Sequence, residues 1–274
     1  LSDGKNNFEK IKNMIYNESC LETMKRPELT GKVDLVITSP PYNTSRVGAS
    51  DKYNSRYDTF QDFKTDQDYI DWTIDIFNGY DNILRKNGCV LYNISYSSEN
   101  THLIWLVVAD IIRRTNFTTA DCIIWKKSNA LPNNRSKNKL TRIIEYVFVF
   151  VRKSELKTFD ANKKVVSVIE KTQQSNYENV YNFFEAKNND GANDLNKATF
   201  STDFVKKLIE IYAKDNSLIY DSFMGIGTTA KGCIETNMRY VGSELSEAQI
   251  LNFKAWEEKR KEKDLGVGTL FETK

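Results

Sequence analysis

Short apolar runs alternate with amphipathic periods over most of this sequence, and no other feature constrains its fold as tightly. Val33–Ile37, Cys89–Ile94, Ala120–Trp125, Ile143–Val151, Leu218–Tyr220 and Arg239–Gly242 read as strands. Between them, Asp68–Leu84, His102–Arg113, Asp203–Ala213, Thr228–Thr236 and Ser246–Lys263 carry helical spacing. Strands separated by helices predict βαβ units and a mainly parallel sheet. In the first helix Tyr69, Trp72, Ile76, Tyr80 and Leu84 share one face. Lys86-Asn87-Gly88 predicts a basic last turn and a glycine stop for it. Ser201 or Thr202 is the expected cap of the third. From Arg152 to about Asn196 the pattern weakens into Lys, Asn, Gln and Ser, which marks an insertion or small subdomain. The 274 residues fit one large α/β domain, or a core with a modest insertion.

Composition removes several classes. Cys20, Cys89, Cys122 and Cys233 are scattered, with no C-x-x-C pair, so a cysteine-rich zinc site is not expected and a reducing compartment is. One histidine, His102, rules out zincin and Cys2His2 patterns. No run reaches the ~18 apolar residues of a membrane span, and the first residues carry no apolar signal region. The expectation is a cytoplasmic protein with no membrane and no metal. Lys and Arg number 39 against 37 Asp and Glu, so any affinity for nucleic acid must come from local patches.

Two strand tips can carry chemistry. Leu218–Thr229 runs from a strand through Gly225-Ile-Gly227 into a helix. Glycines there permit a tight turn and close approach of a ligand to the backbone. Glu244, at the end of the next strand, can accept hydrogen bonds from ribose hydroxyls. No Gly-Lys-Ser/Thr follows and the third glycine of the dinucleotide fingerprint is missing, which favours an adenosine ligand without a pyrophosphate. The second tip is Val36-Ile-Thr-Ser-Pro-Pro-Tyr-Asn43. Its prolines fix the backbone and leave rigid carbonyl acceptors. Ser39 adds a hydroxyl, and the Tyr42 ring can stack on a flat group. Such a unit suits a planar molecule bearing an amino group.

Together these segments resemble the amino-directed DNA methyltransferases that use S-adenosylmethionine. Thr38-Ser-Pro-Pro-Tyr42 is similar to their (D/N/S)-P-P-(Y/F) motif, and Asp221-Ser-Phe-Met-Gly-Ile-Gly-Thr-Thr229 to their D-P-F-x-G-x-G-T-T loop, with Ser222 where Pro is usual. The proline motif comes first, which is the permuted order of the beta class. Asn82–Asn93, Ile123-Ile-Trp-Lys126 and Glu145–Lys153 resemble the family's intermediate segments. Asn196–Ser201 sits where the family often has H-P-x-x-x-P, with neither proline nor the His.

The resemblance implies a Rossmann-like, seven-stranded methyltransferase sheet flanked by helices, with circularly permuted motif order and a small target-recognition insertion. The expected division is a catalytic half over 1–153, the insertion over 154–194 and a cofactor half over 195–274. Ser39, Pro40, Pro41 and Tyr42 would meet the target base. Asp221, Phe223, Gly225, Gly227, Thr228, Thr229 and Phe200 would shape the S-adenosylmethionine pocket, and Glu244 would bind ribose. The base must leave the duplex stack to reach Tyr42. Family members with Ser in the first motif position mostly methylate cytosine N4, those with Asp or Asn adenine N6. Cytosine N4 is therefore favoured, with adenine N6 the alternative. An RNA or protein methyltransferase and a non-catalytic nucleoside-binding module are the readings of other classes.

From Lys126 to Lys164 eleven basic residues face three acidic ones. This local excess suits contacts to double-stranded DNA, through Lys126, Lys127, Arg135, Lys137, Lys139 and Arg142. Arg46, Lys52 and Arg56, in the segment after Tyr42, are further candidates and could close over the base. A homodimer and a cognate restriction endonuclease are the other partners to expect.

Overall fold

The computed structural model describes residues 11, 13–43, 65–96, 100–130, 137–191, 195–196 and 199–264, and the structural statements that follow concern these. In chain order the elements are β1 (Met14–Tyr16), α1 (Cys20–Thr23), β2 (Val33–Thr38), α2 (Asp66–Ile83), β3 (Leu84–Ile94), α3 (Leu103–Arg114), β4 (Phe117–Lys127) and β5 (Ile144–Arg152). There follow β6 (Val165–Ile169), β7 (Gln174–Tyr177), β8 (Phe183–Ala186), α4 (Thr202–Tyr212), β9 (Leu218–Asp221), α5 (Thr228–Glu235), β10 (Arg239–Ser243) and α6 (Glu247–Asp264).

The main sheet runs β1-β10-β9-β2-β3-β5-β4-β8. Pairing is parallel from β1 through β3, while β5 is antiparallel to both β3 and β4. The sheet has eight strands among the described residues, not the expected seven. Its outermost strand, β8, lies inside the weakly patterned segment and is held by parallel pairing of Phe183–Ala186 with Ile124–Lys127. Four residues with one aromatic pair give little periodicity, so the edge partner defines the strand. The rest of that segment includes a separate ribbon, β6 against β7.

Strand side chains alternate between two apolar layers, as they must in a sheet covered on both faces. Val36, Val90, Tyr92, Phe148 and Phe150 face α2 and α3, with Phe77, Tyr80, Val107 and Ile111 packed on them. Leu35, Ile37, Leu91, Val147 and Val149 face α4 to α6, with Phe204, Leu208, Ala230 and Phe253. Thr65 starts α2 with a reciprocal capping box to Asp68, and Ser201 caps α4 by accepting from Phe204 N–H.

The end of α2 differs from the expectation. The helix stops at Ile83, and Leu84 is already paired with Val33 in the sheet. Lys86, Asn87 and Gly88 thus lie in a bulge of β3 between the Leu84 and Cys89 pairings, with Asn87 in the left-handed region at φ 58°. Leu84 is buried, and its place in the core draws the chain into the sheet five residues early.

Parallel pairing brings the carboxyl ends of β1, β10, β9, β2 and β3 to one edge of the sheet. The antiparallel pair adds the start of β5 and the end of β4 there. Both sequence motifs leave the sheet on this edge, where open α/β sheets take ligands.

Candidate active site

The tip of β9 is organised around Asp221, which is buried. Its carboxylate accepts from Thr38 Oγ1 at 2.8 Å, Thr229 Oγ1 at 2.5 Å and Phe223 N–H at 3.0 Å. The first of these bonds joins the proline motif to the cofactor loop. Burial pushes the Asp221 carboxyl up to about 6; the three hydrogen bonds pull it down, and nearby Glu244 adds to the rise. The folded state therefore holds this proton more tightly than the unfolded chain, whose aspartate titrates near 4. Stability of the free protein should fall as pH rises from about 4 to about 6 and the ionisation cost then stays constant. Asp221→Asn should remove that slope. Denaturant melts of both proteins from pH 4 to pH 8 check this; parallel profiles would contradict it.

The loop after Asp221 turns on two left-handed glycines, Gly225 at φ 55° and Gly227 at φ 81°. A Cβ on Gly227 would stand 2.2 Å from the Phe253 ring, so α6 packs directly on the start of α5. Glu244 closes the loop from β10, accepting Gly225 N–H at 2.7 Å and Ser246 N–H at 2.8 Å. Helix α2 spans both motifs. Tyr69 Oη donates to the Pro41 carbonyl at 3.1 Å, the Tyr80 hydroxyl meets Ser222 Oγ at 2.6 Å, and the Trp72 ring lies 5.5 Å from Phe223. Ser222, the departure from the usual proline, thus supplies a hydroxyl partner for a buried tyrosine.

A cavity of about 440 Å³ opens between these segments. Ser39 and Pro41 line it from one side, and Phe200, Asp221, Phe223, Gly225, Thr228 and Glu244 from the other. Pro40, Tyr42, Gly227 and Thr229 lie just outside its lining. Three carboxylates, those of Glu18, Asp221 and Glu244, face it, and its described lining has no Lys or Arg. That charge pattern repels phosphate and suits a ligand bearing positive charge. Glu18 is itself held by Arg26, at 2.8 and 3.0 Å.

The sequence reading missed Glu18, Ser19, Cys20, Trp72, Asn196, Thr199, Leu245 and Gln249, all of which line the cavity. Trp72 carried a signal, since it shares the expected face of α2. Asn196 lies where the H-P-x-x-x-P segment is replaced, and its amide donates to Gln249 Oε1 at 3.0 Å. Burial pushes the Cys20 thiol up to about 12, so it stays protonated. Among the described residues no cluster of three or more His, Cys, Asp or Glu could hold a metal ion.

Tyr42 turns away from the cavity toward β3 and β5. Its hydroxyl donates to Glu145 Oε2 at 3.1 Å and lies 3.4 Å from Ser39 Oγ. The basic residues separate into two sets. Lys137, Lys139 and Arg142 are exposed in the β4–β5 connection, over the same sheet edge, with Arg142 on the Tyr96 ring at 5.1 Å. Lys126 pairs with Glu185 at 3.0 Å, and Lys127 is turned inward to Glu145. Lys127, expected at phosphate, thus has its charge engaged inside the fold. Arg152, also counted in the basic run, is half-buried on Asp81 and the Leu84 carbonyl. Arg46, Lys52, Arg56 and Arg135 lie outside the described residues.

Comparison with known proteins agrees with this architecture. M.BglII, a type II methyltransferase of Bacillus subtilis, is 23% identical over 261 residues, covering 87% of this chain and 67% of the relative. M.BamHII, an orphan methyltransferase of Bacillus amyloliquefaciens, is 24% identical over 258 residues, covering 78% and 84%. Among solved structures, the cytosine-N4-specific PvuII DNA methyltransferase superposes with a TM-score of 0.66 at 16% identity, over 88% of this chain and 86% of that one. M1.HpyAVI in complex with S-adenosylmethionine gives 0.57 at 22%, over 88% and 98%. These two likenesses establish the fold. Among the described residues no helix is long and apolar enough to cross a membrane. A family model for DNA methylases matches residues 33–254, from the first residue of β2 to within α6, and the chain belongs to that family of N6- and N4-directed enzymes.

Proposed function

We propose that this protein transfers the methyl group of S-adenosylmethionine to the exocyclic N4 amine of a cytosine flipped out of double-stranded DNA. One observation carries the reading: a single acidic cavity is lined both by Ser39 and Pro41 and by Asp221, Phe223, Gly225 and Glu244. The cofactor, when bound, supplies an electrophilic methyl group on a positively charged sulfur. The chain's own work is positioning. Glu244 is suited to the ribose hydroxyls, and Phe200, Phe223 and the glycine turn to the adenosine. Thr228 and Thr229 support the loop, Thr229 through Asp221. The amine lone pair of cytosine is conjugated with the ring. Acceptors at Ser39 and the Pro40 carbonyl would draw the amine hydrogens and aim the lone pair at the methyl group. Transfer would form the amine N–C bond as the methyl carbon's bond to sulfur breaks with its electron pair left on sulfur, and the surplus amine proton would pass to water. No covalent enzyme intermediate is needed, so no cysteine is called on.

Ser39 in the first motif position supports cytosine N4 over adenine N6. Lys137, Lys139 and Arg142, on the edge where the motif leaves the sheet, are suited to DNA phosphates, and residues 154–194 with their projecting ribbon to target recognition. A homodimer and a cognate nuclease of a restriction–modification system belong to the same proposal. Transfer of tritiated methyl groups to duplex DNA, RNA or peptide in competition tests the acceptor class. Label should enter duplex DNA; label in RNA or peptide instead would refute the reading.

A further inference from the structure

Behind the proline motif lies a set of polar groups that the roles above leave unused. Glu145 Oε2 accepts from Tyr42 Oη at 3.1 Å and from Asn93 Nδ2 at 2.8 Å. The same Nδ2 donates toward Tyr42 Oη at 3.2 Å and Ser39 Oγ at 3.3 Å. Glu145 Oε1 takes the Lys127 ammonium, which also stands 5.2 Å over the ring of Trp125, the cross-strand partner of Glu145. Asn93 and Glu145 are both buried, at 3% and 9% exposure.

A buried carboxylate–ammonium pair is weak evidence for stability, because apolar residues of similar size often serve as well. A different property of Glu145 has consequences here. An ionised carboxylate accepts hydrogen bonds and never donates, whereas a hydroxyl does either. With Glu145 at its end, the chain of hydroxyls has one direction. The Tyr42 hydrogen points to Glu145, leaving the Tyr42 oxygen to accept from Asn93 Nδ2 and from Ser39. The Ser39 hydrogen then points away from the cavity; one Ser39 lone pair takes the Asn93 amide at 3.3 Å, and the other remains for a ligand donor on the cavity side. Without that terminal acceptor, the Ser39 hydrogen could equally face the cavity, where an amine N–H would meet a donor.

We propose that Glu145 is a positioning residue that fixes the hydrogen-bond direction of Ser39 and Tyr42, so that Ser39 meets the target amine as an acceptor. Lys127 holds the carboxylate in place. The inference rests on the reading of the cavity as an amine methylation site.

Single-turnover methyl transfer to unmethylated duplex DNA at saturating S-adenosylmethionine tests it. Glu145→Gln keeps the size of the side chain but adds a donor, so the direction is no longer set. The transfer rate should fall about 100-fold. Cofactor and DNA dissociation constants should change less than about threefold, and Glu145→Asp should recover the rate to within about tenfold. Tyr42→Phe removes the hydroxyl and keeps the ring. The Tyr42→Phe/Glu145→Gln double variant should be at most about threefold slower than the slower single variant, since both interrupt one chain. A second route avoids leaving Lys127 unpaired: the Lys127→Met/Glu145→Met protein should fold and be slow. Wild-type rates in Glu145→Gln, losses that multiply in the double variant, a loss matched by weaker cofactor binding, or a fully active Met/Met protein would each overturn the proposal. An active wild type beside an equally active Glu145→Gln overturns this inference alone. A wild type that methylates no DNA overturns the underlying reading, and the inference with it.

Discussion

Tyr42→Ala should reduce methyl transfer to DNA by about 1,000-fold, while the dissociation constant for S-adenosylmethionine changes less than about threefold. Two losses combine. A stacked base gains about 1–3 kcal/mol from an aromatic partner, so removing the ring costs up to a hundredfold. The ring also carries the hydroxyl that ties the motif to Glu145 and Asn93, and misplaced catalytic groups lose about another hundredfold when geometry slips by an ångström. Cofactor binding is spared because Tyr42 lies outside the lining of the 440 Å³ cavity, whereas Ser39 and Pro41 lie within it. Single-turnover kinetics with parallel calorimetric binding separate the two. Equal loss of transfer and cofactor affinity would show that Tyr42 supports the cavity itself.

Gly225→Asp should have the opposite signature, weakening cofactor binding at least 100-fold. The residue sits at φ 55°, and a Cβ there would stand 2.9 Å from Asn196 Nδ2 and 3.3 Å from Gln249 Oε1. Its N–H donates to Glu244 at 2.7 Å, so a new carboxylate would enter beside Glu244, in a cavity already facing Asp221 and Glu18. Left-handed strain for a residue with a Cβ costs about 1–2 kcal/mol, and the rest comes from the steric and charge conflict. Gly225→Ala keeps the strain and the Cβ contact with Asn196 but adds no charge, and should lose roughly tenfold. Titration calorimetry on all three proteins checks the series. Retained affinity in Gly225→Asp would remove the glycine turn from the cofactor site.

Much of the fold was legible because its signals are periodic. From Tyr146 to Val151 β5 reads as an apolar run since both of its faces are buried, Val147 and Val149 on one side, Phe148 and Phe150 on the other. The strand tips were legible because prolines and glycines mark where a chain must leave a sheet. Where the sequence misled, a tertiary partner decided the local structure. Lys86-Asn87-Gly88 has the composition of a helix end, yet burial of Leu84 against Val33 places it in a strand bulge. β8 is a strand by virtue of β4, and four residues show no period.

The site followed the same rule. The two motifs are local and were visible. The cavity lining from Glu18 to Cys20 was not, because its place follows only from the pairing of β1 with β10, which sets Tyr16 against Ser243 at the same edge. The basic run beginning at Lys126 suggested a surface, but a count of charges cannot separate exposed Lys137 and Lys139 from inward Lys127 and Arg152. Ser222 looked like a simple departure from a proline until its hydroxyl was found on Tyr80.

The central claim is that the cavity joining the two motifs methylates an amine of DNA. Unmethylated genomic DNA incubated with the protein and S-adenosylmethionine, digested to nucleosides and resolved by mass spectrometry, tests it most directly. N4-methylcytosine, lost on Tyr42→Ala, is the expected product. N6-methyladenine would keep the cavity and its chemistry but overturn the reading of Ser39, and DNA that gains no methylated base while the cofactor binds would contradict the claim.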